Sequence, residues 1–166
     1  MNTALILAGG LDPRFHMDIP KQFVNVNNKP FIIYTLEIFQ NHPDIDEIIV
    51  TCLDGWQEMV RVYGKQFNIT KLKEIIPGGK DAQESTYHGL QLLKDRMGAG
   101  DIVVVHDAIR PMVSEELITD SIKVCRKKGM GVAATYIMDT IMHSPDGKEG
   151  YGNGGVWKVP KDTYDI

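Results

Sequence analysis

The sequence predicts an α/β fold built on a doubly wound, mostly parallel, Rossmann-like sheet. Two observations carry this. Short apolar runs alternate with helical patterns along the first 136 residues, the rhythm of strands joined by crossover helices. The first run, Thr3–Leu7, is apolar nearly throughout rather than at every second position, as expected of a strand covered on both faces. At 166 residues the chain suits a single domain with a full core.

The elements follow in order. Strands are expected at Thr3–Leu7, Glu47–Cys52, Leu72–Ile76, Ile102–His106 and Val132–Ile137. Between them, Phe31–Gln40 reads as a helix started by Asn28 and Pro30. Trp56–Phe67 follows Asp54, with Gln57 three residues on, a version of the capping box. Gln83–Asp95 places Thr86, Leu90 and Leu93 on one face. Ser114 caps a helix with Ile118, Ile122 and Cys125 at i, i+4 and i+7, which ends in Arg126–Lys128 and Gly129. After Thr140 the rhythm breaks. Ser144-Pro145-Asp146-Gly147 is a turn signal between Thr140–His143 and Val156–Val159, giving a β-arm over residues 139–160 outside the main sheet. Gly150–Gly155, with four glycines in six positions, reads as a loose connection.

Composition narrows the function. The chain has 18 Lys and Arg against 22 Asp and Glu, a net charge of −4. Nucleic acid and anionic membrane surfaces both call for a surplus of cations, so neither is an expected partner. The N-terminal apolar run is too short for a signal peptide or a span, and no later run reaches about 18 apolar residues. A soluble, cytoplasmic protein is expected. Cys52 and Cys125 form no CxxC and read as two buried thiols of a reducing compartment.

Doubly wound sheets bind ligands outside the carboxyl ends of their strands, so the loops there hold the candidate residues. The first is Leu7-Ala8-Gly9-Gly10, followed by Arg14 and Pro20-Lys21-Gln22. The two glycines let backbone approach an anion and turn N–H groups toward it. Arg14 offers bidentate phosphate contact and Lys21 a point charge. Two glycines alone read as a tight turn; the cations favour a phosphate site. Neither GxGxxG nor Walker A spacing is met.

The second candidate is His106-Asp107-Ala108-Ile109-Arg110-Pro111. Its carboxylate suits a divalent cation or a ribose hydroxyl, against the plain alternative of an Asp–Arg pair closing a loop. His106 is expected to pack or hydrogen-bond, and His16, His42, His88 and His143 to be surface residues. The third is Pro77–Ser85, with Gly79 and Ser85 offering small polar groups to a base or sugar, or simply a helix start. The fourth is Asp139-Thr140 after the fifth strand.

LAGG, Arg14, PKQF, GG with ES, HDAIRP and DT, in this order and spacing, resemble the cytidylyltransferases that make CDP-linked polyols. That family includes methylerythritol-phosphate cytidylyltransferase of isoprenoid synthesis and ribitol-5-phosphate cytidylyltransferase of teichoic-acid and capsule pathways. The resemblance runs from about Met1 to Thr140, and PKQF with KPFIIYTLEIFQ leans towards the ribitol-phosphate branch. It implies a nucleotidyltransferase sheet that transfers CMP from CTP to ribitol 5-phosphate or 2-C-methyl-D-erythritol 4-phosphate. Leu7, Ala8, Gly9 and Gly10 would line the nucleotide, and Gly79 and Ser85 its cytosine end. Arg14 and Lys21 would bind the triphosphate and carry catalysis. Asp107 would meet the ribose and Mg2+, with Ala108 beside the ribose. Arg110, Asp139 and Thr140 would meet the polyol phosphate, and the arm would embrace a second subunit in a homodimer.

Three departures stand against this pattern. Asp12 occupies a position where the family usually has Gly, and Ala82 one where many members have Arg. Asn153 stands where an Arg is expected, with the TPQ-like segment and the family's C-terminal region missing. They sustain the alternative of an impaired relative that binds nucleotide without turnover. A dinucleotide-binding oxidoreductase and a nucleotidyltransferase using UTP or GTP are the other readings.

Overall fold

The computed structural model describes residues 1–10, 19–134, 149–152 and 155–158, the last two ranges as backbone strands. Asp12, Arg14, His16, Asp139, Thr140, His143 and the Ser144–Gly147 turn lie outside the described residues. The chain forms two compact units, Met1–Val132 and Ala133–Ile166.

The first unit is built on four strands: β1 (Asn2–Ala8), β4 (Glu47–Cys52), β5 (Leu72–Pro77) and β6 (Ile102–Asp107). They lie in the order β5-β4-β1-β6, and every pairing is parallel. The chain steps outward from β1 to β4 and β5, then crosses back to lay β6 on the other side of β1. The strand order therefore reverses between β1 and β6, the topological switch point where doubly wound sheets open a crevice.

Both faces of the sheet are covered. Ala4, Ile6, Ala8, Ile48, Val50 and Cys52 point into one core with residues of α1 (Phe31–Asn41), α2 (Gln57–Gln66) and α4 (Glu115–Lys128). Leu5 and Ile49 point the other way, into a smaller core closed by Leu93 of α3 (Ala82–Leu93). This two-sided burial explains the continuous apolar runs. Of the expected fifth strand, Val132–Ala134 is not strand and the remainder lies outside the described residues.

The caps follow local chemistry, with two corrections. Ser114 Oγ accepts from Leu117 N–H at 3.1 Å, and Gly129 ends α4 at φ 86°, as expected. Asn28 does not cap α1. Asn27 and Asn28 take φ of 50° and 61° and turn a short hairpin of β2 (Asn25–Val26) and β3 (Lys29–Pro30), a conformation Asn tolerates better than most residues. Nor does Asp54 cap α2. Its Oδ1 accepts from the Gln57 side chain at 3.2 Å, and Trp56 occupies the cap position without a side-chain bond.

The buried face of α3 keeps the expected Leu93 but is otherwise one position off, with Ser85 and Gly89 in place of Thr86 and Leu90. Ser85, Gly89 and Leu93 are buried and Leu90 is exposed. Gly89 sets this rotation: a Cβ there would lie 2.4 Å from Leu5 Cδ1, so only glycine lets the helix axis come so close to β1.

Two side chains reported themselves poorly in the sequence. His42 is buried, not on the surface. Its Nδ1 accepts from Asp44 N–H at 3.1 Å, which leaves the proton on Nε2, 3.2 Å from Glu115 O and 3.1 Å from Thr119 Oγ1. It thus ties the end of α1 to the start of α4. Cys125 is half-buried, whereas Cys52 is fully buried; both are free thiols.

The second unit pairs β7 (Glu149–Gly152) with β8 (Gly155–Lys158) in antiparallel register, Gly152 opposite Gly155. Gly150, Gly152 and Gly155, expected in a loose connection, therefore lie in strands, and Gly154 lies outside the described residues. Among the described residues, no helix is long and apolar enough to cross a membrane.

Candidate functional site

The carboxyl ends of β1, β4, β5 and β6 bring three of the four candidate segments together. The backbone of β1 runs straight into the glycine loop. Leu7 O accepts from Ala108 N–H at 2.9 Å and Ala8 O from Leu53 N–H at 3.2 Å, so both neighbouring strands hold the loop's root. Gly9 and Gly10 leave the sheet at the switch point.

The two glycines are not equivalent. A Cβ on Gly9 would meet Ser85 Oγ at 3.2 Å and Gly78 Cα at 3.4 Å, while a Cβ on Gly10 would meet nothing within 4 Å among the described residues. Gly9 therefore packs backbone to backbone on the loop after β5. Ser85 is buried between them, and its Oγ accepts from Gly79 N–H at 2.9 Å. Gly79 in turn is pressed on Glu84, whose Cβ would lie 2.4 Å from a side chain there. Asp81 Oδ1 caps α3 through Glu84 N–H at 2.8 Å, and Glu84 Oε2 accepts from Lys80 N–H at 2.8 Å. Those reciprocal bonds fix the loop that carries Gly78 and Gly79.

Lys21 and Gln22 lie on a single 3-10 turn, Lys21–Phe23. Lys21 is half-buried there. Gln22 is 1% exposed, and its Nε2 donates to Ala8 O at 2.8 Å and Gly10 O at 3.2 Å. Phe23 stacks on Trp56 with centroids 4.5 Å apart, pinning the turn to the start of α2.

At the end of β6, Ala108 is fully buried and its carbonyl accepts from Thr35 Oγ1 at 2.7 Å. Asp107 Oδ2 accepts from Arg110 Nε at 2.7 Å. His106 packs 5.2 Å from the Phe39 ring, and its Nε2 lies 2.9 Å from Arg110 O, a pairing that requires the proton on Nε2. It is a packing and hydrogen-bonding residue, as expected. The Cys52 carbonyl accepts from Gly78 N–H at 2.7 Å, while its side chain lies in the core, where burial pushes the thiol up to about 12 and leaves it uncharged.

Gln22, Gly78 and Glu84 fall within segments the sequence marks out but not as site residues in their own right, and Thr35 falls outside them. Gln22, Gly78 and Thr35 act through backbone contacts with distant segments, which leave no local signature, while Glu84 bonds Lys80 N–H four residues away. Among the described residues, no group of three or more His, Cys, Asp or Glu side chains could hold a metal ion. Asp107 is the one carboxylate among the sequence-predicted site residues described. That fits Mg2+, which commonly takes one or two protein carboxylates and completes its shell with substrate phosphates and water.

A parallel sheet with glycine loops, a lysine turn and a carboxylate at its switch point is an α/β fold of the nucleotidyltransferase type. Residues 2–149 match the profile of the 2-C-methyl-D-erythritol 4-phosphate cytidylyltransferase (IspD) family, and the chain belongs to that family. It is 47% identical over 134 residues to the ribitol-5-phosphate cytidylyltransferase of Lacticaseibacillus paracasei, covering 81% of this chain and 57% of that one. It is 37% identical to the protein of the same name from Vibrio parahaemolyticus, covering 86% and 60%. It is 34% identical to the 2-C-methyl-D-erythritol 4-phosphate cytidylyltransferase of Clostridium botulinum, covering 84% and 60%. The chain thus spans less than two thirds of the length of these relatives. Among solved structures it is similar to the 2-C-methyl-D-erythritol 4-phosphate cytidylyltransferase of Francisella tularensis, with a TM-score of 0.67 and 28% identity over 87% of this chain and 62% of that one.

Proposed function

We propose that this protein transfers CMP from CTP to a polyol phosphate, with ribitol 5-phosphate as acceptor, giving a CDP-polyol and pyrophosphate. The observation that carries this reading is the convergence of three distant segments, Leu7–Gly10 with Lys21, Pro77–Ser85 and Asp107–Arg110, on the carboxyl ends of one parallel sheet. The choice of ribitol 5-phosphate is supported by the 47% identity to the Lacticaseibacillus protein of that name; 2-C-methyl-D-erythritol 4-phosphate is the alternative acceptor.

In this reading a phosphate oxygen of the acceptor attacks the α-phosphorus of CTP in line. The new P–O bond forms as the bond to the β-phosphate oxygen breaks, and the electron pair leaves with pyrophosphate. The nucleophile is already an anion, so no strong base is required. The obstacle is bringing anions together, which positioned cations and N–H groups relieve. Gly9 and Gly10 present backbone to the phosphates, and Lys21, with Arg14, stabilises the charge that develops on transfer. Gly79 and Ser85 take the cytosine side, Asp107 and Ala108 the ribose. Arg110, with Asp139 and Thr140, takes the acceptor phosphate. Asp107 is the residue that would hold Mg2+, which when bound neutralises phosphate charge and acts as a Lewis acid. Residues 139–160 serve as an arm that embraces a second copy; among the described residues β7 and β8 pair only with each other, and a two-stranded pair is marginal in water, which supports a partner for it.

The test is pyrophosphate release with CTP, UTP, ATP or GTP against ribitol 5-phosphate and 2-C-methyl-D-erythritol 4-phosphate, with Mg2+. CTP with ribitol 5-phosphate should be the productive pair, and Lys21→Ala should lose most turnover while remaining folded. Release from another nucleotide in preference, or near-normal product from Lys21→Ala, overturns the assignment. A CTP-dependent rise in melting temperature without any pyrophosphate would instead mark a binding relative without turnover.

A further inference from the structure

Gln22 has no part in the transfer chemistry, yet the glycine loop is built around it. Its amide nitrogen reaches two carbonyls, Ala8 O at 2.8 Å and Gly10 O at 3.2 Å, one on each side of Gly9. The residue before it is Lys21. The residue after it is Phe23, 2% exposed and stacked on Trp56. The turn cannot shift without disturbing the ring stack or both amide bonds.

The direction of those bonds matters. A trans peptide carries its C=O and N–H on opposite sides. Drawing the Ala8 carbonyl onto Gln22 therefore sends the Gly9 N–H away from Gln22.

Stability does not account for this side chain. Ala8 O also accepts from Leu53 N–H, and Gly10 is exposed, so water can serve its carbonyl. Neither carbonyl depends on Gln22 to be satisfied. Meanwhile Gln22 Oε1 is buried with no hydrogen-bond partner among the described residues, which is unfavourable. A methionine of the same length would fill the space without stranding that oxygen. A polar group kept where an apolar one fits, with its donors spent on loop geometry, is the pattern of a site built for position rather than stability.

We propose that Gln22 is a positioning residue of the transfer site: its buried amide locks the turn that carries Lys21 to the carbonyls flanking Gly9, setting the lysine and the glycine loop in one fixed relation around the triphosphate. This rests on the nucleotidyltransferase reading for its purpose, and on the hydrogen bonds alone for its mechanics.

The test uses the full chain, with Q22M, which removes the donors at constant length, and Q22E, which restores one donor only when its carboxyl is protonated. Q22M should melt within about 3 °C of the wild type. Its kcat should fall about ten- to a hundredfold, more than KM for CTP rises, since a misplaced cation is felt most in the transition state. In the Lys21→Ala background Q22M should remove almost nothing further, because the two act as one unit. Q22E should regain activity relative to the wild type as pH falls, since burial raises a carboxyl and favours its protonated, donating form. A second arm needs no ligand: amide hydrogen exchange in Q22M should rise in residues 5–10 and 19–24 and stay unchanged in α1 and β4. Additive losses in the double variant, or wild-type exchange in those two segments, overturns the proposal. If the wild type releases no pyrophosphate, the functional reading fails, and hydrogen exchange still decides whether Gln22 locks the turn to the loop.

Discussion

Arg110 Nε donates to Asp107 Oδ2 at 2.7 Å across the loop that ends β6. The Arg110 side chain is 71% exposed and that of Asp107 41%. A pair so open to solvent contributes about 0–1 kcal/mol to stability, so its partners are free to be drawn to ligands. Arg110→Ala should leave the melting temperature within about 2 °C of the wild type. It should raise KM for the polyol phosphate about ten- to a hundredfold while leaving KM for CTP nearly unchanged, as loss of a charge-assisted contact predicts. Initial rates of pyrophosphate release at varied acceptor check this. An unchanged acceptor KM would place Arg110 outside the acceptor site.

Gly9 and Gly10 are adjacent, and they should respond oppositely to the same change. Gly9→Ala drives a methyl to 3.2 Å from Ser85 Oγ and 3.4 Å from the Gly78 backbone. The tight contact is with Ser85 Oγ, which is buried and holds Gly79 N–H, so a loss of about 1–3 kcal/mol is expected, as for overpacking generally, together with weakened CTP binding. Gly10→Ala adds a methyl that meets none of the described residues within 4 Å, and stability should stay within about 0.5 kcal/mol. Urea unfolding of both variants supplies the comparison, and equal destabilisation of the two would contradict the packing of Gly9 on Gly78.

That contrast illustrates what could be read before the fold was known. The strands at Glu47–Cys52 and Ile102–Asp107 and the ends of α4 are legible because apolar runs and caps are local features. The Gly9-Gly10 pair is legible as a loop, and the need for glycine at the first position alone is not, since it depends on Gly78 and Ser85, some seventy residues away. Gln22 is hidden for the same reason, its hydrogen bonds reaching back to Ala8 and Gly10. Polar periodicity misplaced the buried face of α3 because Gly89, with no side chain to register in a pattern, is the residue that approaches Leu5.

His42 shows a buried polar group used as a clamp. Removing its ring deletes the bonds to Asp44 N–H, Glu115 O and Thr119 Oγ1 and leaves a cavity where the buried ring sat. His42→Ala should therefore destabilise by about 2–4 kcal/mol. The clamp joins α1 to α4 and none of its bonded partners is a site residue, so kcat per folded molecule should be preserved. Chemical denaturation and rates corrected for folded fraction test both halves of this expectation. A surface-like loss under about 0.5 kcal/mol would show that the clamp does not hold in solution.

Cys52 links burial to alkaline behaviour. Burial raises its thiol from 9.0 to about 12, so between those values the unfolded chain has lost a proton that the folded one retains. The folded state then binds more protons, and stability falls as pH rises. The contribution is complete below about pH 9 and is lost progressively toward pH 12. Cys52→Ala should flatten that alkaline decline relative to the wild type, at the expense of a small cavity that lowers stability equally at all pH values. In the native protein at pH 8, a thiol reagent should modify half-buried Cys125 and reach Cys52 only on unfolding, since the reactive form is the thiolate. Counting thiols with and without denaturant, and following urea midpoints from pH 8 to 11, checks both. Rapid modification of Cys52 in the folded protein would mean that the end of β4 opens far more often than its burial implies.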